Sequence, residues 1–312
     1  DKLHPRVKET AKRLWLIYVM FTFAETILLV IGGMDLFDAV NHSFTTMATG
    51  GYSTKQASIA HWDSPFIHYV IILFMFIAGT NFSLAYFGLK FRFKKVFGNE
   101  EFRFYVGFVL FFILISCFVL FFTTDLSFER SFRDSAFQVV SIITTTGYAT
   151  ADYLQWIPFL TILIFAIMFI GGSAGSTGGG IKVMRVVVLL KTSVAEFKRL
   201  IHTHAIIPVR FNRKTVPSQI INNVLAFIVL YIFIFVTGTV IMAAMGLNLE
   251  TAMGSVIACL GNIGPGIGDV GPADNFINIP TAGKWFLSFL MLVGRLELFT
   301  VLILFSPSFW KR

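Results

Sequence analysis

Three short stretches of this 312-residue chain concentrate the residue types that can hold a bare cation through backbone oxygens. They read Thr49-Gly50-Gly51-Tyr52-Ser53-Thr54, Thr145-Thr146-Gly147-Tyr148-Ala149-Thr150 and Asn262-Ile263-Gly264-Pro265-Gly266. Aligned on Gly51 and Gly147, the first two agree at Thr, Gly, Tyr and Thr, and Asp38 and Asp134 fall on the same alignment upstream. The third keeps only the glycine and its position. Glycine accepts dihedrals that residues with side chains resist, so successive carbonyls can turn toward one line. Carbonyls facing an axis can replace the water shell of an ion. The repeats therefore predict a cation pore whose filter is built from Thr49, Gly50, Gly51 and Tyr52, from Thr145, Thr146, Gly147 and Tyr148, and from Asn262, Ile263, Gly264 and Pro265.

Two further features could act on such a pore. Gly171-Gly172-Ser173-Ala174-Gly175-Ser176-Thr177-Gly178-Gly179-Gly180 interrupts an apolar run. Each of its six glycines costs a helix up to ~1 kcal/mol against alanine, so a loop is expected inside the membrane. Residues 157–170 before it would extend about 21 Å as helix, which sets the loop in the inner half of the bilayer. Gly171, Gly172, Ser173, Gly175, Thr177, Gly178, Gly179 and Gly180 are thus candidate gate residues; a hinge or close-packing patch of small residues is the plainer alternative. Arg295 sits at the midpoint of the last apolar run, where a charge must face the bundle interior or water. It could raise a barrier to cations or hold the glycine loop through carbonyls; a structural pair with Glu25, Glu297 or the loop backbone is the alternative.

The elements that position these residues follow from composition. The chain is 56% hydrophobic and 13% charged, with 37 Phe, too little polar surface for a soluble fold of this size. Apolar runs predict six membrane spans near 14–33, 65–88, 104–123, 157–190 (interrupted), 219–246 and 284–305. Three units follow, each a span, a short half-helix with its hairpin, and a returning span: 14–88, 104–200 and 218–312, joined by linkers 89–103 and 201–217 after a basic lead-in at 1–13. A half-helix of about ten residues, such as Asp35 to Phe44, reaches ~15 Å and cannot cross an apolar layer of ~30 Å. It must dip and return, its C-terminal end bringing partial negative charge toward the bilayer centre.

Twenty of the 25 Lys and Arg lie in four stretches: Lys2 to Arg13, Lys90 to Arg103, Lys182 to Lys214, and Lys311-Arg312. Positive loops stay in the cytoplasm, so both ends and both linkers are expected inside and the hairpins enter from outside. Nucleic acid is not an expected partner; membrane lipid is. Cys117 and Cys259 read as small buried hydrophobes. The opening Asp1-Lys2-Leu3-His4-Pro5 carries neither initiator Met nor a signal peptide and reads as the start of an excised piece. Gly266-Ile267-Gly268-Asp269-Val270-Gly271 and Gly171-Gly172-Ser173-Ala174-Gly175 mimic dinucleotide and nucleophile motifs without the strands those need. His202 and His204 read as solvated. No acid–base or metal constellation suggests an enzyme.

FTTMATGGYST, IITTTGYATAD, GGSAGSTGGGIKVMR, LGNIGPGIG and MLVGRLELFT, in this order, resemble the TrkH/TrkG/KtrB/HKT superfamily of K+ transporters, essentially end to end. The resemblance implies an all-α membrane fold of four pseudo-symmetric M1–P-loop–M2 repeats around one pore, of which this chain holds three and lacks the first. It implies K+ selectivity at strands centred on Gly51, Gly147 and Gly264, an intramembrane gating loop at Gly171–Gly180, and Arg295 beside it. It also implies a homodimer in the bacterial inner membrane and a cytosolic TrkA-like subunit that binds ATP/ADP or NAD(H), with no cofactor on this chain itself. The competing class is a Na+- or H+-coupled carrier, whose broken helices come in inverted pairs; these three half-helices share one orientation.

Overall fold

The computed structural model describes residues 4–202 and 205–310; Lys2, His204, Lys311 and Arg312 lie outside them. The chain is helical and threefold in plan. The first unit comprises α1 (His4–Ile31), α2 (Leu36–Met47), α3 (Pro65–Ala78), α4 (Phe82–Leu89) and α5 (Phe93–Phe97). The second comprises α6 (Glu100–Thr123), α7 (Phe128–Ile143), α8 (Pro158–Ile167) and α9 (Val183–Ile201). A small antiparallel ribbon of β1 (Arg210–Phe211) and β2 (Lys214–Thr215) leads to the third: α10 (Ser218–Ala244), α11 (Leu249–Gly261), α12 (Thr281–Arg295), α13 (Leu298–Leu302) and α14 (Pro307–Trp310).

The first helix of every unit is unbroken. Within α1, α6 and α10, the segments Ala11–Ile31, Glu100–Thr123 and Ser218–Ala244 are long and apolar enough to cross a membrane. The returning helix of every unit is broken, which corrects two of the expected spans. The run at 65–88 is not one helix: α3 and α4 meet at 113° across Gly79, Thr80 and Asn81. The run at 284–305 likewise bends by 116° between α12 and the segment from Leu298. Only the break at 168–182 is marked by a glycine tract, and there α8 has ten residues, about 15 Å instead of the expected 21 Å.

The half-helices α2, α7 and α11 have 12, 16 and 13 residues, longer than expected but still only about 18–24 Å. Each starts with a side-chain cap: Asp35 accepts from the Asp38 amide, Ser127 from Arg130 and Asn248 from Thr251. Asp35 and Asn248 each stand sixteen residues before their hairpin glycine; Ser127 stands one helical turn earlier, which accounts for the length of α7. The middle half-helix is also the most enclosed. Every residue from Arg133 to Ile143 is buried, so the core of the molecule wraps α7, with α3 and α6 packed on it. The ribbon at 210–215 was not expected; Asn212 and Arg213 both take left-handed dihedrals at its turn.

Candidate functional site

Each half-helix ends in the same backbone path. Two residues before the hairpin glycine stands a left-handed residue, Thr49, Thr145 or Asn262, with φ of 50°, 57° and 54°. The glycines follow with φ of 64°, 83° and 116° at Gly51, Gly147 and Gly264. Left-handed dihedrals at both ends of a three-residue stretch turn the carbonyls off the helix axis, and at the third position glycine avoids the side-chain penalty.

The three hairpins converge. A Cβ placed on Gly51 would lie 1.9 Å from the Thr146 carbonyl oxygen, and one on Gly147 would lie 1.8 Å from that of Ile263. The oxygen of the residue before each glycine therefore rests against the glycine of the preceding unit. Gly50, Gly51, Tyr52, Thr146, Gly147, Ile263, Gly264 and Pro265 all border one cavity of about 400 Å³ at the hairpin mouth. The third flank is open. Around Gly264 the nearest atoms to a Cβ belong to Gly147, at 3.9 Å and beyond. A cavity of about 520 Å³ separates Thr49, Gly50 and Tyr52 from Asn262, Ile263 and Gly264.

The tyrosines contribute differently from expectation. The Tyr52 carbonyl accepts from Thr45 Oγ1 at 2.9 Å and the Tyr148 carbonyl from Ser141 Oγ at 2.7 Å, so both face their own half-helix. The Tyr148 ring is fully buried, its hydroxyl donating to the His42 carbonyl and meeting Thr45 Oγ1 at 2.6 Å on α2. It staples the second hairpin to the first half-helix. Tyr52, its counterpart, is 69% exposed on the open flank.

The loop Gly171–Gly180 sits against the C-terminal ends of all three half-helices. Its neck is closed by Gly171 N–H to Ile181 and Ile181 N–H to Phe169. Thr177 Oγ1 donates to the Met47 carbonyl of α2 at 3.1 Å, and the Gly179 amide donates to Thr145 Oγ1 at 2.7 Å. A Cβ on Gly178 would meet the Thr144 oxygen at 2.9 Å and one on Gly179 the Gly261 oxygen at 2.4 Å. The loop is also pinned to the break in the first unit. The Ser173 amide donates to the Gly79 carbonyl, Asn81 Nδ2 to Ala174 at 2.6 Å, and the Ala174 amide to Glu101 at 2.6 Å. Ser173 is buried, and Gly172 packs so closely on Gly79 that a Cβ would lie 2.8 Å from its oxygen.

Arg295 is not at the middle of a span. It is the last residue of α12, exposed, and its guanidinium donates to the Ala48 carbonyl beyond α2 at 3.3 Å. The alternative pair with Glu297 does not form: Glu297 holds Arg185 at 2.5 Å, and Arg185 lies 3.8 Å over the Phe227 ring. Glu25 has no hydrogen-bond partner among the described residues. Sequence reading missed Lys182, whose ammonium bonds the Gly178 carbonyl. Lys182, Arg185, Arg295 and Glu297 share with Gly175 to Gly180 a cavity of about 360 Å³. The signal for Lys182 was its place two residues after the tract. Sequence reading also missed His42 and His68, both buried, which bond Ser53 Oγ at 2.9 Å and the Trp62 carbonyl at 2.8 Å. His202 is exposed.

Chemically, the arrangement is an open arc of hairpin backbone, two of whose peptide oxygens rest against neighbouring glycines, beside a cavity lined by the Gly175–Gly180 backbone with Lys182, Arg185 and Arg295. A sequence model described as TrkH, a cation transport protein, matches residues 1–312. The Trk system potassium uptake protein TrkH of Escherichia coli K12 is 42% identical over 313 residues, covering all of this chain and 64% of that protein. TrkG of the same strain is 32% identical, again over 64% of its length. The crystal structure of the potassium transporter TrkH from Vibrio parahaemolyticus matches with a TM-score of 0.93 at 37% identity, over 99% of this chain and 66% of the other. The chain thus spans under two thirds of the length of these relatives.

Proposed function

This chain belongs to the TrkH family of cation transport proteins, and we propose that it forms most of a potassium-selective path through the bacterial inner membrane. One observation carries the reading: glycine hairpins from three separate units meet edge to edge, Gly51 against the Thr146 oxygen and Gly147 against that of Ile263. Peptide oxygens gathered in this way replace hydration around a monovalent cation. The half-helix ends beneath them add partial negative charge. The filter residues are Thr49, Gly50 and Gly51, Thr145 to Gly147, and Asn262 to Gly264; Tyr52, Tyr148 and Pro265 set the backbone that follows. A fourth hairpin seated in the gap between Gly50 and Gly264 closes the ring, with Tyr52 packed on its half-helix as Tyr148 packs on α2.

The loop Gly171–Gly180 is the gate, in the closed position. Lys182 and Arg295 add a barrier of positive charge in the chamber below. The chain works as a homodimer, its basic face turned to the cytosol, where a TrkA-like subunit binding ATP/ADP or NAD(H) moves α9 and thereby the loop. The named relatives are potassium uptake proteins.

The test is the ion-substitution reversal potential of the complete native protein in liposomes. A shift that tracks the K+ gradient and ignores Na+ is expected. A flux that saturates and stops when a Na+ or H+ gradient is removed would instead mark a coupled carrier.

A further inference from the structure

The segment after each hairpin glycine is clipped to its own half-helix, and the three clips differ. In the first unit Asp38, Thr45 and His42 lie on one face of α2, at i, i+7 and i+4. They hold three successive residues. Thr45 bonds the Tyr52 carbonyl at 2.9 Å, His42 Nε2 meets Ser53 Oγ at 2.9 Å, and Thr54 Oγ1 donates to Asp38 Oδ1 at 2.6 Å. The Lys55 ammonium adds an ion pair to Asp38 Oδ2 at 3.1 Å.

Two such rungs stand in the second unit. Ser141 bonds the Tyr148 carbonyl at 2.7 Å and Gln138 Nε2 the Ala151 carbonyl at 3.0 Å. The counterparts of the remaining rung, Asp134 Oδ1 and Thr150 Oγ1, are buried and make no hydrogen bond among the described residues. Asp134 turns its other oxygen to Arg130 at 3.0 Å.

The third unit has one acid–hydroxyl rung, with its chemistry reversed, beside a longer bond from Asn248 Nδ2 at the helix cap to Asp269 Oδ2 at 3.4 Å. Thr251 occupies the helix position of Asp38 and Asp134, thirteen residues before the glycine, and the acid has moved to the descending segment as Asp269. Thr251 Oγ1 donates to Asp269 Oδ2 at 3.1 Å and accepts from its amide at 3.0 Å. Ser255 turns back to its own helix, and Ala258 offers no donor.

We propose that these acid–hydroxyl rungs determine ion discrimination, with Asp38–Thr54 and Thr251–Asp269 as its positioning residues. The inference rests on the filter reading above. In the cavity-size account of selectivity, a ring of carbonyls rejects a smaller ion because it cannot draw in around it, and the rungs are the bonds that resist that inward movement. A hydrogen bond to a carboxylate shifts an equilibrium by about tenfold or more when lost. Because the rungs are unequal, the three hairpins contribute unequally although their glycines are equivalent.

The test uses Thr→Val, which keeps shape and removes the hydroxyl, and Thr→Ser, which keeps the hydroxyl. K+/Na+ permeability ratios of the complete native protein are measured in liposomes, alongside total K+ flux and monodispersity. T54V and T251V are expected to lower the ratio about tenfold while K+ flux persists, T54S and T251S to restore it, and T150V to change it less than about twofold. Should the parent protein fail to discriminate K+ from Na+, the filter reading falls. Should the parent discriminate while T54V and T251V match it, or T150V lower the ratio as much as they do, the rung inference falls alone. Loss of monodispersity in T54V shifts the decision to T251V and D269N, which break the same kind of rung on the opposite partners.

Discussion

Replacing Gly147 by alanine tests the converging hairpins most directly. Two costs can be worked out. The backbone at Gly147 has φ of 83°, where a side chain costs roughly 1–2 kcal/mol. The larger effect is steric. The new methyl would lie 1.8 Å from the Ile263 oxygen, 2.9 Å from its carbonyl carbon and 3.0 Å from Pro265. A carbon needs at least 3.0 Å, so the second and third hairpins must separate by about 1.2 Å at this point. The obstacle is backbone on both sides, and no rotamer relieves it. Gly264→Ala shares the unfavourable φ, 116°, yet meets nothing closer than 3.9 Å. Gly107→Ala, in α6 with open space around it, supplies the control; it should stabilise slightly through helix propensity. The assay is the bi-ionic K+/Na+ reversal potential in liposomes, with thermal melting in detergent. Expected is a fall in the permeability ratio of at least ~10-fold for Gly147→Ala, equivalent to ~1.4 kcal/mol, and a smaller fall for Gly264→Ala. A folded Gly147→Ala protein with unaltered discrimination would refute the idea that these oxygens touch the ion.

Three other substitutions probe the surroundings. Arg295→Ala removes a bond to the Ala48 carbonyl and a positive charge from the chamber below the ring, and unregulated K+ flux measured by rubidium uptake should rise severalfold. Alanines at Gly178, Gly179 and Gly180 drive methyls into the Thr144 and Gly261 carbonyls and burden a φ of 63° at Gly180; the loop cannot seat, and single-channel open probability should increase, so unchanged currents would sink the gate assignment. Glu25→Gln should leave the melting temperature within about 2 °C, because the buried carboxylate has no hydrogen bond among the described residues to lose, whereas a marked drop would reveal a charge partner.

The parts legible in the sequence were those written in glycine and polar residues. The hairpins announced themselves because only glycine suits Gly51 and Gly147, both by dihedral and by contact with a neighbouring carbonyl. The loop was visible because six glycines in ten residues defeat a helix. The other two breaks were not. Gly79-Thr80-Asn81 interrupts a strongly apolar run for three residues only, and hydropathy cannot distinguish a polar pause from a 113° bend. Asn81, whose side chain accepts from the Ser83 amide as a helix cap, was the local signal. At 296–297 there was none: the bend turns on Glu297 at φ 66°, a residue type with no preference for that region. Arg295 was consequently set at mid-span when it terminates a helix. Links between units were illegible in principle, since nothing near Tyr148 in sequence announces that its hydroxyl binds the backbone of α2, 106 residues away.

The contacts of the loop Gly171–Gly180 have a mechanical consequence for the proposed gate. One ten-residue segment touches the ends of α2, α7 and α11 simultaneously, through Thr177, Gly178 and Gly179. These three contacts fall on consecutive residues, so a shift of the loop as one body loosens all of them together. Under the gate proposal, a loop that withdraws as one body predicts ionic current through one molecule that jumps between silence and a single full amplitude, without graded rests between.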